Sequence, residues 1–162
     1  DSWDGYRMSR SRVFDMVERF QVPNLVVLTG DVHSAWGFDL PRQITDKYDP
    51  ASGRGSLGVE IVCPAVSSPS PYQGPKGDAL LAETPKTRPH LKHLDGRFRG
   101  YVVLDVTRER LQADWWTVPA VNVRTTEQRF AKGLVSDAGS RHLADAAAPM
   151  ASATGPDPAA KK

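Results

Sequence analysis

The feature of this sequence that most constrains its fold is a short apolar run that ends directly in a carboxylate and an imidazole. Residues 25–29 read Leu-Val-Val-Leu-Thr, without polar alternation, which is typical of a strand buried on both faces in a parallel α/β sheet. Gly30 ends the run, and Asp31 and His33 follow. Because ligands in open α/β sheets collect beyond the carboxyl ends of strands, we expect both side chains at a functional site.

The residue types after this strand are those of a metal site. A carboxylate oxygen and an imidazole nitrogen are both metal donors, and a preceding glycine lets the backbone bend close to an ion. Zinc takes about four ligands and calcium about six to eight, so Asp31 and His33 predict only part of a site. The spacing also fits an ordinary turn, in which Asp31 caps its own backbone and His33 is a surface residue.

Composition narrows the range of partners. A chain of 162 residues is long enough for one domain or for a piece of a larger one. With 21 basic and 19 acidic residues the net charge is +2, too little to attract nucleic acid, so we expect no nucleic-acid partner. No stretch approaches the roughly 20 apolar residues of a membrane span, so we expect no transmembrane segment.

The predicted secondary structure changes after residue 34. Residues 7–20 have the apolar spacing of an amphipathic helix and, with the strand that follows, predict half of a βαβ unit. Beyond residue 34, successive strand candidates with no helix between them favour antiparallel pairing. They cover residues 35–40, 57–63, 100–106 and 111–118, and the polar link 107–110 predicts a hairpin between the last two.

The remaining segments are predicted as loops and a tail. Residues 41–56 and 64–89 are rich in turn residues, and loops of this length usually border a site. Toward the end of the chain Ala, Ser, Gly, Pro and Asp dominate, with too little apolar bulk to pack. We therefore expect one domain over residues 1–130 and a low-complexity, disordered tail over residues 131–162.

Four further residues are candidates for substrate binding. Trp3, Asp4 and Tyr6 form a polar-aromatic cluster before the helix, which either contacts substrate or anchors packing. His90 lies in a predicted loop, where it either meets a substrate phosphate or is an ordinary surface histidine.

Five blocks in fixed order carry a resemblance to a known family. They are Asp-Ser-Trp-Asp-Gly-Tyr at 1–6 with Arg12, Thr-Gly-Asp-Val-His-Ser-Ala-Trp at 29–36, Gly-Val-Glu-Ile-Val-Cys-Pro at 58–64 with Ser-Ser-Pro at 67–69, Arg-Pro-His-Leu-Lys-His at 88–93, and Arg-Gly-Tyr-Val at 99–102. Together they closely resemble the C-terminal part of PhoD-type alkaline phosphatases, a branch of the calcineurin-like metallophosphoesterases.

The resemblance implies a fold and an activity. The fold is the C-terminal half of a four-layer α/β/β/α sandwich, in the α/β class, with mostly antiparallel strands after residue 34. The activity is hydrolysis of phosphomonoesters, and of phosphodiesters as a further class, by a metal-activated water. The implied cofactors are iron (Fe3+) and calcium (Ca2+), and the implied location is periplasmic or extracellular.

The same resemblance assigns roles to Asp31 and His33. They stand where many relatives carry a Gly-His-x-His pair, so they are carried over as metal ligands and catalytic residues. An aspartate in place of the first histidine suits a hard cation such as Fe3+ or Ca2+, because its oxygen is anionic.

One departure from the family concerns the rest of the site. Ligands that relatives carry in their first half have no counterpart before Asp31. We therefore expect the partners of this chain to be the missing N-terminal half of the same domain and a phosphate ester substrate, and we expect the isolated chain to be inactive. A phospholipase D-like phosphodiesterase on the same scaffold and a non-catalytic binding domain are the alternatives.

Overall fold

The computed structural model describes residues 3, 5–44 and 47–151, which form two four-stranded sheets and two helices. The helices are α1 (Arg7–Arg19) and α2 (Gly74–Thr87). The strands are β1 (Leu25–Thr29), β2 (Ala35–Pro41), β3 (Ser56–Val62), β4 (Leu91–Asp95), β5 (Arg99–Val106), β6 (Arg110–Val118), β7 (Arg129–Asp137) and β8 (Ala144–Asp145).

The strands pair as a mixed first sheet and an antiparallel second sheet. The first sheet has the order β1-β3-β2-β4, and only β1 and β3 run parallel, with Thr29 opposite Val62. The second sheet has the order β5-β6-β7-β8 and is antiparallel throughout, with the predicted hairpin between β5 and β6. The α/β class with mostly antiparallel strands after residue 34 is therefore confirmed.

The core lies between the two sheets. The two sheets approach each other closely at Gly37 of β2, because a Cβ at this position would lie 2.8 Å from Cδ1 of Leu134 in β7. Trp115 of β6 is almost fully buried, and its indole Nε1 donates to the carbonyl of Val62 at 3.1 Å. This contact fixes the second sheet against the end of β3 and, through it, against the end of β1.

Helix α1 supplies one helical layer. Its buried side chains, Phe14 and Val17, pack against Leu57 at the start of β3. The segment 146–150 covers the outer face of β6. Asp114 of β6 accepts a hydrogen bond from the Met150 amide at 2.7 Å and holds this segment in place. A second helical layer is not among the described residues, and neither α1 nor α2 has the length and hydropathy to cross a membrane.

Strand β1 differs from its predicted environment. Among the described residues it pairs only with β3 and is an edge strand. Its side chains are half-buried or exposed, and Leu28 is 59% exposed. The prediction of burial on both faces is therefore wrong for this chain by itself, although the bounds of the strand are as predicted.

The segment 64–89 is not one long loop, because it contains α2. Pro75 stands in the first helical turn, where its missing N–H removes no helical hydrogen bond. Pro85 lies in the last turn, where it removes its own helical hydrogen bond but no further turn follows for it to disrupt. The proline-rich composition hid the helix, and the prediction of no helix between the later strands is wrong.

The predicted tail is also wrong for residues 131–151. Strand β7 pairs along its length with β6, β8 pairs with β7, and Leu143 is 2% exposed in the core between the sheets. The domain therefore continues past residue 130, and residues 152–162 lie outside the described residues. The average composition of this segment gave no indication of the buried Leu143 or of the strand pairing around it.

Asp39 of β2 explains how residues 142 and 143 are held. Its side chain is fully buried and accepts hydrogen bonds from the Tyr48 hydroxyl at 2.9 Å, from His142 Nδ1 at 2.7 Å and from the Leu143 amide at 2.9 Å. The Lys92 ammonium lies 3.5 Å away. Burial and the adjacent carboxylate raise the pKa of Tyr48, so its hydroxyl remains a donor at every ordinary pH.

His93 of β4 is a histidine of the core. Its ring packs against Trp115 with centroids 4.9 Å apart, and its buried Nε2 has no hydrogen-bond partner among the described residues. Burial lowers the pKa of His93 to about 4. The ring is therefore neutral at pH 7 and acts as a packing residue.

Acidification should destabilise the fold through His93. Because its pKa is near 6.5 when unfolded, the unfolded chain binds the extra proton between pH 6.5 and 4 and the folded chain does not. The free energy of unfolding should fall by about 2–3 kcal/mol between pH 7 and pH 4.5 on this account. Urea denaturation at the two pH values should show this loss in the wild type and a smaller one in His93→Leu. An equal loss in both proteins would contradict the assignment.

Candidate functional site

The turn that follows β1 holds both predicted metal ligands in an uncommon backbone conformation. Asp31 has φ 69° and His33 has φ 54°, the left-handed region that residues other than glycine adopt rarely. The Val32 amide donates to the carbonyl of Gly30 at 2.8 Å and closes the turn. Strained single residues of this kind cluster at ligand-binding sites.

A buried serine holds this turn in place. Ser34 is fully buried, and its hydroxyl donates to the Val32 carbonyl at 3.1 Å while it accepts a hydrogen bond from Trp36 Nε1 at 2.7 Å. Trp36 belongs to β2 and stacks on Phe38 with ring centroids 5.5 Å apart. The turn is thereby tied to the middle of the first sheet.

The ring of His33 is oriented by a main-chain carbonyl. Nδ1 lies 3.1 Å from the oxygen of Pro69, and a carbonyl can only accept, so Nδ1 carries the proton. In the neutral ring this leaves the lone pair of Nε2 available for a cation. Such a partner on the second ring nitrogen is typical of histidine metal ligands.

Asp31 offers an unused anionic oxygen. Its side chain is exposed, and no hydrogen bond or ion pair engages it within the described part of the chain. One turn therefore presents an unpaired carboxylate and an imidazole with a free nitrogen. Each of the two is a chemically competent metal donor.

These two residues do not complete a metal site. No group of three or more His, Cys, Asp or Glu side chains that could hold an ion occurs among residues 3, 5–44 and 47–151. Glu60 on β3, the nearest strand, instead accepts a hydrogen bond from the Thr29 hydroxyl at 2.8 Å. The described residues therefore fit only part of a ligand set.

The aromatic candidates near the start of the chain lie beside α1. The ring of Trp3 meets Phe14 edge-on with centroids 6.5 Å apart, and Tyr6 is exposed immediately before the helix. No hydrogen bond, ion pair or ring contact joins either residue to the turn after β1 within the described part of the chain. Asp4 lies outside the described residues.

His90 is also separate from this turn. Its ring stacks on Phe38 with centroids 5.4 Å apart, and its buried Nδ1 lacks a hydrogen-bond partner among the described residues. Burial, and then the charges of Arg88 and Arg10, lower the pKa of His90, so the ring is neutral at pH 7. Among the described residues, it makes no hydrogen bond or ring contact with Asp31 or His33.

Several residues that support the turn were not predicted from the sequence. Ser34, Trp36 and Pro69 all stand inside the blocks that carry the family resemblance. Their residue types gave no indication of a role, because their hydrogen bonds form only once the turn and the loop have folded. The only sequence signal for these residues was their position inside the blocks that carry the family resemblance.

A cleft among the described residues lies elsewhere. It measures about 220 Å³ and is formed mainly by β1, the β5–β6 hairpin and the end of β7, with Leu28, Val106 and Arg108 among its walls. Asp31 and His33 do not line it. This cleft lies between the free edge of the first sheet and the free edge of the second.

Comparison with known proteins identifies the class of molecule. The family model described as PhoD-like phosphatase matches residues 1–115. The chain therefore belongs to the PhoD-like phosphatase family, a family of phosphoesterases.

Two relatives show how much of a family member this chain represents. It is 34% identical over 124 residues to alkaline phosphatase D of Bacillus subtilis (strain 168), an alignment that covers 75% of this chain and 19% of that relative. It superposes on the solved structure of PhoD with a TM-score of 0.73 and 26% identity, covering 94% of this chain and 28% of that one. The chain thus spans less than a third of the length of either relative.

Removing the Ser34 hydroxyl should loosen the turn that carries the ligands. Ser34→Ala leaves Trp36 Nε1 without its partner, which should lower the free energy of unfolding by about 1–3 kcal/mol. Amide hydrogen exchange at residues 31–34 should accelerate. The matched control is Ser52→Ala, a serine in an exposed loop. Unchanged stability and exchange in Ser34→Ala would show that the hydroxyl does not hold the turn.

Proposed function

We propose that this chain supplies Asp31 and His33 as ligands to the metal centre of a phosphoric ester hydrolase. The observation that carries the proposal is the left-handed turn after β1, which presents an unpaired carboxylate beside an imidazole with a free Nε2. Membership of the PhoD-like phosphatase family supports phosphoester hydrolysis as the chemistry. The curated relative is an alkaline phosphatase, which favours phosphomonoesters as substrates.

The two donors suit the cations that the family resemblance implies. The carboxylate of Asp31 suits both Fe3+ and Ca2+, because both are hard cations that favour anionic oxygen. The neutral nitrogen of His33 suits iron, since calcium sites are built from oxygen ligands. We therefore assign His33 to iron.

The work of this chain in catalysis is to present and orient its two ligands. When bound, the cations neutralise phosphate oxygens and lower the pKa of a water that attacks phosphorus. Asp31 adds a negative charge that retains them. His33 keeps its proton on Nδ1, where Pro69 accepts it, so that Nε2 faces the site as a lone pair. The hydrogen bonds of Ser34 hold both residues ready and limit reorganisation on binding.

The remaining ligands belong, in this proposal, to further residues of a longer polypeptide of the relatives' length. Among the described residues, strand β1 is a free edge of the first sheet, and β5 is a free edge of the second. Leu28 on β1 and Val106 on β5 are 59% and 69% exposed, and both face the cleft between the edges. Unpaired strand edges flanked by exposed apolar side chains are suited to the addition of further strands. We also assign the protein a periplasmic or extracellular location, as the resemblance implies.

Replacing either ligand in the longer polypeptide should lower metal content and activity together. Asp31→Ala and His33→Ala should each reduce hydrolysis of 4-nitrophenyl phosphate by about 100-fold or more, because a lost ligand costs at least as much as a lost supporting partner. Bound iron and calcium are measured by elemental analysis of the same samples. Glu83→Ala, which breaks an exposed ion pair on α2, is the matched control.

The same assays separate this function from its alternatives. Wild-type metal content and wild-type rates in both ligand variants would remove Asp31 and His33 from the site. Faster turnover of bis(4-nitrophenyl) phosphate than of the monoester would make the protein a phosphodiesterase. A metal-free wild type without hydrolysis would make it a binding domain.

The isolated 162-residue chain should hydrolyse neither ester and should self-associate through its free edges. A half-set of ligands holds an ion weakly, and the apolar edges remain uncovered. Light scattering should show a smaller average mass for the double variant Leu28→Lys, Val106→Lys than for the wild type. The control is Leu80→Lys, which alters an exposed leucine of α2. Robust hydrolysis by the isolated chain would contradict the proposal of missing ligands.

A further inference from the structure

Arg99, the first residue of β5, has an unusual set of partners for a half-buried arginine. Its Nε donates to two consecutive main-chain carbonyls, those of Ser67 at 2.9 Å and Ser68 at 3.2 Å. No carboxylate lies within ion-pair distance of it among the described residues. The interactions of its guanidinium are therefore with the loop between β3 and α2 rather than with an acidic partner.

This loop is held by its neighbours at several points. The amide of Gly100 donates to the carbonyl of Ala65 at 3.0 Å, next to the contacts of Arg99. On the other side of the loop the hydroxyl of Ser70 donates to the carbonyl of Gly96. Residues 65–70 are thereby bound to the start of β5 and to the turn before it.

The carbonyl between these attachments is the one that orients His33. Pro69 follows directly after the two carbonyls held by Arg99, and its oxygen lies 3.1 Å from His33 Nδ1. Proline has no amide proton, so this residue cannot be fixed by a hydrogen bond from its own nitrogen. Its carbonyl direction depends on the residues on either side.

We propose that Arg99 is a positioning residue for His33: by binding the carbonyls of Ser67 and Ser68 it aims the Pro69 carbonyl at Nδ1 and thereby leaves Nε2 for the cation. The last step rests on the proposed metal function. The orientation of the ring does not, because it is a property of the chain without metal. Arg99 touches neither His33 nor Asp31 and acts only through the loop.

The test measures which nitrogen of His33 carries the proton in the neutral, metal-free 162-residue chain. The chain has four histidines, so 15N-histidine labelling gives a small set of imidazole signals, and His33→Ala assigns that of His33. Above pH 8 the wild type should show His33 with the proton on Nδ1. Arg99→Leu should shift population toward the form with the proton on Nε2. It should also accelerate amide exchange in residues 66–70 by about tenfold, the equivalent of one lost hydrogen bond to a charged group.

Two controls separate positioning from a general loss of structure. Arg97→Leu removes an exposed arginine two residues away, which pairs with Asp78 and does not contact the loop, so it should leave both readouts at wild-type values. Thermal unfolding shows whether Arg99→Leu is folded. If it is not, Arg99→Met is measured in the same way, because methionine keeps an unbranched apolar side chain without an N–H donor.

Three results would overturn the proposal. The first is a wild type whose His33 carries its proton on Nε2. The second is a folded Arg99→Leu, or Arg99→Met in its place, that keeps both the wild-type tautomer and wild-type exchange. The third is an equal change in Arg97→Leu. None of these measurements involves metal. If the Asp31 and His33 variants disproved the proposed metal function, the role of Arg99 in orienting His33 would still stand. If the Arg99 variants disproved that role, the proposed metal function would still stand.

Discussion

The hydrogen bond between His33 Nδ1 and the carbonyl of Pro69 is the interaction on which the proposed site depends. Since a carbonyl only accepts, that contact fixes the tautomer and decides which nitrogen is free. The partner of the imidazole is therefore main chain from a loop more than thirty residues away. A carboxylate acceptor would add a negative charge at this point, whereas the carbonyl orients the ring without changing the charge of the site.

The turn and the loop are held by different parts of the fold. Ser34 and Trp36 hold the turn against the first sheet, and β5 of the second sheet holds the loop. The two sheets are themselves joined by the indole of Trp115 on the carbonyl of Val62, at the end of the strand that pairs with β1. The orientation of His33 thus depends on the packing of both sheets and not only on the residues that contact its ring.

The sequence was informative where local pattern decides structure and uninformative where remote contacts decide it. The bounds of β1, the helix near residues 7–20 and the β5–β6 hairpin followed from apolar spacing and turn chemistry. The helix α2 was missed because prolines at its two ends are compatible with helix only through their positions. The strands after residue 128 were missed because pairing with β6 and the buried carboxylate of Asp39 hold residues whose composition resembles a tail. The candidate ligands were found from residue type, whereas their supporting hydrogen bonds were not predictable.

The central claim is that one cation binds the Asp31 carboxylate and Nε2 of His33 together. The most direct test is an anomalous difference map, measured at the iron absorption edge, from crystals of the longer polypeptide that contains these residues. The account predicts a peak for a metal ion within bonding distance of both side chains, with Nδ1 of His33 still hydrogen-bonded to the Pro69 carbonyl. A peak bonded to neither residue, or to Nδ1 in place of Nε2, would contradict it.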